Sequence, residues 1–231
     1  MDLIIEGFRQ AFGLIARGDP TLFDIVARSL AVSLSATFLA ALVGIPAGAA
    51  LVLRAFPGRG LLEITVNTGM ALPPVVVGLV VTILLWRTGP LGALTLLYTP
   101  QAMVSAQFLV AMPIAAGLTR SALAAMDPDL IAALRADGAA DRIVALELAR
   151  AAAPQLAVAV AAAFGRAIAE VGASLMVGGN LLGHTRILTT AIALEVSRGD
   201  FGLAIALGII LLAIAFVVNL LLGWRSRPWA N

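Results

Sequence analysis

Five stretches of this chain approach or exceed the roughly 20 apolar residues that an α-helix needs to cross a bilayer. They are Leu30–Leu53, Ile64–Leu85, Ala102–Leu118, Leu156–Val177 and Leu203–Leu222. In lipid every backbone N–H and C=O has to be satisfied within the segment, so runs of this kind leave an all-helical membrane bundle as the available architecture. Composition agrees. Apolar residues make up 61% of the chain and charged residues 12%, with a mean hydropathy of +1.03, far from the balance of a soluble domain. We read residues 1–231 as one integral membrane domain.

All fifteen basic residues are arginine and the formal net charge is only +2. A high isoelectric point in so charge-poor a chain is not a nucleic-acid signature. Cysteine is absent and histidine occurs once, at His184, which excludes disulfides, thiolate metal sites and a histidine metal cluster. No GxxxxGK[ST] run is present, so any ATP chemistry has to come from another chain. The N-terminus lacks the pattern of a cleaved signal peptide. Residues 3–20 place Ile4, Phe8, Phe12 and Ile15 at helical spacing between Glu6, Arg9 and Gln10, as an interfacial helix or an untethered terminus would.

The longest charged, helix-prone insert is 124–154, between the third and fourth apolar runs. Asp127 suits an N-cap, Pro128 the first helical position and Asp129 the positive helix end. Leu130, Ile131 and Leu134 then share a face, and Gly138 supplies a left-handed stop. A second helix is expected from Asp141. Its partial apolar stripe is Ile143, Leu146 and Leu148, opposite Arg142, Glu147 and Arg150, and Pro154 ends it. Helix, glycine turn, helix reads either as a docking surface or as an ordinary solvated connection.

If this insert is cytoplasmic, five spans place the N-terminus outside and the C-terminus inside. Eight arginines then lie on the cytoplasmic side against six outside, or against three when those before the first span are set aside. Trp224 and Trp229, beside Arg225 and Arg227, fit an interfacial anchor. Pro46, Pro73, Pro74 and Pro113 fall within spans, where they kink helices along a pathway or serve packing alone.

The fourth run holds Arg166 and Glu170, four residues apart on one helical face. Ionisable groups inside a membrane usually face the bundle interior and pair. A functional pair and a register-fixing pair both fit. Gly172, Gly178 and Gly179 allow close helix approach and a turn, and Ile187–Leu194 fits a re-entrant or surface helix on the outer side.

Five spans with this insert resemble the permease subunit of bacterial ABC importers. That family carries a cytoplasmic EAA, three residues, glycine motif, which here falls on Ala132, Ala133, Leu134, Arg135, Ala136, Asp137 and Gly138. Ala132 stands where the family has glutamate, Leu134 at its third position, and Pro154 a few residues late. ALPPVVVGL at 71–79 resembles the second span of molybdate, tungstate and sulfate permeases. EVGASLMVGGNLLGHTRILTTAIALEVSRGDF at 170–201 is similar to the tungstate permeases in particular. The resemblance implies a homodimeric inner-membrane permease in contact with lipid. Cytoplasmic ATPases carrying ATP and Mg would dock on Asp127, Leu130, Ala132, Ala133, Leu134, Asp137 and Gly138, and an extracytoplasmic binding protein would deliver the oxyanion. No cofactor is expected on this chain.

Candidate pathway and gate residues are Pro73, Pro74, Arg166, Glu170, Gly172, Ser174 and Gly179, with Asn180, Thr185, Arg186, Thr189 and Thr190 offering hydrogen bonds near the outer mouth. Three alternatives stand beside tungstate import: molybdate or sulfate as the anion, a passive channel, and an intramembrane enzyme using His184 with Asp200 or Glu195.

Overall fold

The computed structural model describes residues 2–224, and every regular element among them is helical. Helix α1 (Asp2–Ala16) leads into α2 (Pro20–Leu53), whose start is set by Asp19. The Asp19 Oδ1 accepts the Leu22 N–H at 2.8 Å, and Pro20 occupies the first turn, where no donor is needed. Over 34 residues α2 is about 51 Å long, ten residues longer at its start than the sequence indicates. Pro46 lies inside it without ending it.

The second apolar run is not one continuous helix. It divides into α3 (Arg59–Met70) and α4 (Pro74–Leu85), bent by 106°. Pro73 caps α4 and Pro74 opens it. Two successive prolines remove two donors and hold the preceding residue out of the helical region, so the chain turns there. A short 3-10 turn, Gly92–Leu94, precedes α5 (Pro100–Ala124), which extends past the Ala102–Leu118 run at both ends and keeps Pro113 in its interior. The insert follows as α6 (Pro128–Ala136) and α7 (Asp141–Ala151).

Pro154 does not end α7. It sits in the first turn of α8 (Ala153–Ile168), which leaves α7 at 80°. The fourth apolar run is also broken: α8 stops at Ile168 and α9 (Gly172–Gly178) begins after a short non-helical link. Then come α10 (Leu188–Arg198) and α11 (Phe201–Trp224). By length and composition α2, α5 and α11 each cross a membrane alone, with up to five crossings if the bent pairs α3–α4 and α7–α8 are single spans.

Helices α2 and α5 run parallel and close. A Cβ on Gly44 would lie 2.8 Å from the Ala115 Cβ, and one on Gly48 would lie 2.4 Å from the Ala116 carbonyl oxygen. Small residues one turn apart bring two backbones into contact, a device suited to lipid, where apolar burial drives little association. Helix α8 returns against them through Ala163 and Ala167, which meet Ala40, Ala111 and Ala115. At the far end Ala206, Leu207 and Ile210 of α11 pack with Leu22 and Ile25 of α2 and with Leu188 and Ala191 of α10. The starts of α2 and α11 therefore share one end of the bundle, and the insert occupies the other.

Helix α1 lies along α11, with Gly7 and Ala11 buried and Ile4, Phe8, Phe12 and Ile15 exposed. A Cβ on Gly7 would strike Ile205 at 2.2 Å. The apolar stripe read from the sequence therefore points away from the bundle. Of the suggested C-terminal anchor, Arg225, Arg227 and Trp229 lie outside the described residues.

Candidate functional site

At the insert end, Gly138 has φ +76° with open space around its Cβ position. The glycine is required there by backbone conformation, not by crowding. The Ala139 N–H reaches back to the Leu134 carbonyl at 3.1 Å, a six-to-one closure that ends α6, and the side chains of both residues pack into one cluster. Asp127 accepts the Asp129 N–H at 2.9 Å ahead of α6.

That cluster joins the insert to the bundle. Val144 and Leu148 of α7 are buried with Leu123 of α5 and Ala152, against Ala49, Val52 and Leu53 of α2. Ile143 and Leu146, expected on the inward stripe, are instead about half exposed on the outer surface. The inward pair is Val144 and Leu148, spaced i, i+4, and Glu147 bonds Arg150 on the outside. Ala132, Ala133, Asp137 and Gly138 are exposed and Leu134 is half-buried. The side chain of Leu130 lies outside the described residues. The exposed surface of the insert thus mixes alanines and the apolar Ile143 and Leu146 with charged side chains, and the insert packs on the ends of two long helices.

The second group of candidates gathers around the α8–α9 break. Arg166 and Glu170 do not pair. Helix α8 ends before Glu170, and the buried Glu170 Oε1 accepts the Ala173 N–H at 2.8 Å instead. A carboxylate three residues before an amide at a helix start satisfies one of its orphan donors. Arg166 is half-buried and has no hydrogen bond or ion pair among the described residues. A Cβ on Gly172 would stand 2.7 Å from Val75, one residue past Pro74, and one on Gly179 would stand 2.8 Å from the Tyr98 ring.

The threonines expected near the outer mouth are occupied. Thr189 donates to the Glu170 carbonyl at 2.9 Å, Thr190 accepts the Ile187 N–H at 3.1 Å at the start of α10, and Thr185 accepts the Leu181 N–H at 2.9 Å. All three are buried. Asn180 donates to the Thr190 carbonyl at 3.2 Å and accepts from Arg186 at 3.3 Å. Arg28 ties the same loop down through the Gly183 and Arg186 carbonyls at 2.9 and 3.2 Å. These side chains hold the 179–190 segment closed on itself, and the threonine hydroxyls point at backbone.

Ser174, a candidate from the sequence, belongs to a buried polar chain deeper in the bundle whose other members, Ser33 and Gln107, sequence reasoning did not name as candidates. Ser33 of α2 donates to Gln107 of α5 at 3.1 Å, and Gln107 donates to Ser174 of α9 at 3.0 Å, with all three at 1% exposure or less. The available signal was a glutamine in an otherwise apolar span. The residues of the enzyme alternative are not assembled for catalysis: His184 is exposed, Glu195 bonds Arg198, and Asp200 caps the Leu203 N–H.

Residues 21–227 match the model of the binding-protein-dependent transport system inner membrane component family. The chain belongs to that family. It is 42% identical over 219 residues to a tungstate uptake system permease protein of Peptoclostridium acidaminophilum, covering 95% of this chain and 96% of that one. A probable anion ABC transporter permease of Haloferax volcanii is 43% identical, covering 89% and 90%. Among solved structures, a bacterial alginate ABC transporter in complex with its periplasmic protein superposes with a TM-score of 0.74 at 18% identity, covering 97% of this chain and 86% of that one. At that identity the likeness speaks to fold. The chain is a multi-pass membrane permease subunit of ABC type, and ATP hydrolysis belongs to a separate chain.

Proposed function

We propose that this chain is the permease of an importer for a tetrahedral oxyanion, tungstate first, working as a pair of copies by ATP-driven alternating access. The observation that carries the reading is the insert: α6, Gly138 and α7 form an exposed platform whose buried side packs directly on the ends of α2 and α5. A passive channel has no need of such a platform. An ATPase with bound ATP and Mg would seat on its exposed face, and closure of the ATPase pair would shift the bundle between two states. The binding protein would dock at the opposite end, where the 179–187 loop is tied to α2.

On this reading the insert and C-terminus lie in the cytoplasm, the N-terminus outside, and the exposed stripe of α1 in lipid at the outer surface. The close tungstate relative favours tungstate over molybdate or sulfate. The test is co-purification of the tagged chain in mild detergent, followed by ATPase assays in proteoliposomes with each loaded binding protein. An ATPase recovered with the native chain and lost with Gly138→Pro, which cannot adopt φ +76°, supports the reading. Recovery of no ATPase, or stimulation by none of the oxyanions, defeats it.

A further inference from the structure

Arg166 stands alone in the apolar body of the molecule. Its neighbours Ala163 and Ala167 pack on Ala40 and Ala111. Ala40 lies thirteen residues before the end of α2, and Ala111 lies thirteen before the end of α5. At 1.5 Å per residue Arg166 is therefore about 20 Å from the insert end, well inside a hydrocarbon layer about 30 Å thick. The open face of α8 is not one that suits lipid. Its exposed residues include Ala153, Gln155 and Ala162, with Val158 the one large apolar side chain exposed on the helix. On α11, by contrast, Leu212, Phe216, Val217, Leu220 and Leu221 are all exposed. The face carrying Arg166 thus lacks the large apolar side chains that α11 turns outward.

A guanidinium held at that depth needs a counter-charge, and Glu170, the nearest carboxylate in sequence, is turned to the Ala173 N–H. The carbonyls at the end of α8 offset part of the charge, but they do not use the five-donor fork. That fork matches two oxygens of a tetrahedral oxyanion, and two copies of the chain supply two such charges against a dianion. We propose that the Arg166 guanidinium is the mid-membrane contact of the transported oxyanion, exposed to the aqueous path on the open face of α8. This rests on the oxyanion-importer reading above.

The absence of cysteine makes the test clean. The complex of Arg166→Cys permease, its ATPase and its binding protein is reconstituted in proteoliposomes, and tungstate uptake is measured before and after treatment with charged methanethiosulfonates. The native complex, treated alike, serves as control. The expected result is an intact complex whose uptake falls at least tenfold. The cationic aminoethyl reagent should restore at least a third of the native rate and the anionic sulfonatoethyl reagent should not. Uptake within twofold of native overturns the inference, and so does equal rescue by both reagents or by neither. A complex that assembles with Arg166→Lys but not with Arg166→Cys marks the arginine as a structural partner and also overturns it. If the native complex moves no oxyanion, the importer reading is what fails. Reaction of the Arg166→Cys thiol with the water-soluble reagents then still reports whether the position faces water, and no reaction overturns the inference independently.

Discussion

Gln107 of α5 donates its side-chain amide to the Ser174 hydroxyl of α9 at 3.0 Å, with both residues fully buried. Ser33 of α2 completes the chain from the other side. Replacing Gln107 by leucine leaves two buried hydroxyls without their partner, and such groups cost about 1–3 kcal/mol. Gln107→Leu should lower the melting temperature of the purified permease by several degrees, and Ser33→Ala by less. Differential scanning fluorimetry in detergent checks this, and a leucine variant as stable as the native chain would show the network to be incidental.

Gly48 should tolerate no side chain. A Cβ there would lie 2.4 Å from the Ala116 carbonyl oxygen, which is backbone and cannot swing aside. Helices α2 and α5 would have to separate, and overpacking of this kind costs about 1–3 kcal/mol or more. Gly48→Val is expected to insert poorly and aggregate on extraction, whereas Gly13→Ala, with nothing within 4 Å of its Cβ position, should be neutral. The comparison is made on monodispersity after size-exclusion chromatography.

Thr189→Val and Thr190→Val are expected to act on stability. The Thr189 hydroxyl holds the Glu170 carbonyl and the Thr190 hydroxyl holds the Ile187 N–H at the start of α10. Loss of a cap costs about 1 kcal/mol. Melting should fall for each variant, with transport per folded molecule unchanged. A transport defect without destabilisation would return these hydroxyls to the anion path.

Ile143→Asp and Leu146→Asp test the insert from its exposed side. Both residues are 51% exposed in the isolated chain, so the bundle should keep its stability within about 1 kcal/mol, as surface changes do. Recovery of the ATPase in detergent should nonetheless drop several-fold, since an aspartate would be buried at the proposed contact. Undiminished recovery would place the docking face elsewhere on α6 and α7.

Much of this architecture was legible as pattern. The apolar runs marked the body of the bundle, Pro73-Pro74 is punctuation whose meaning is local, and Gly138 announced its own conformation, whereas the start of α2 at Asp19-Pro20 went unread. What escaped was whatever depended on a partner distant in the chain. Glu170 reads equally as the mate of Arg166 or as the cap of a new helix, and only the stop at Ile168 decides between them. Thr185, Thr189 and Thr190 looked like donors for an anion because a hydroxyl carries no sign of the carbonyl it will meet. Ile143 and Val144 are neighbours of similar hydrophobicity, and the choice of which one is buried is made by Leu123 and the end of α2.

The contact between the insert and the paired ends of α2 and α5 has a mechanical corollary. Because the two helices touch backbone to backbone at Gly44 and Gly48, a push on the insert would be delivered to a double rod and not to a single helix. With α2 about 51 Å long, a tilt of about 10° at the insert carries its far tip about 9 Å sideways. Under the proposed import cycle, a lever of that throw would turn a modest stroke at one membrane surface into a larger displacement at the other.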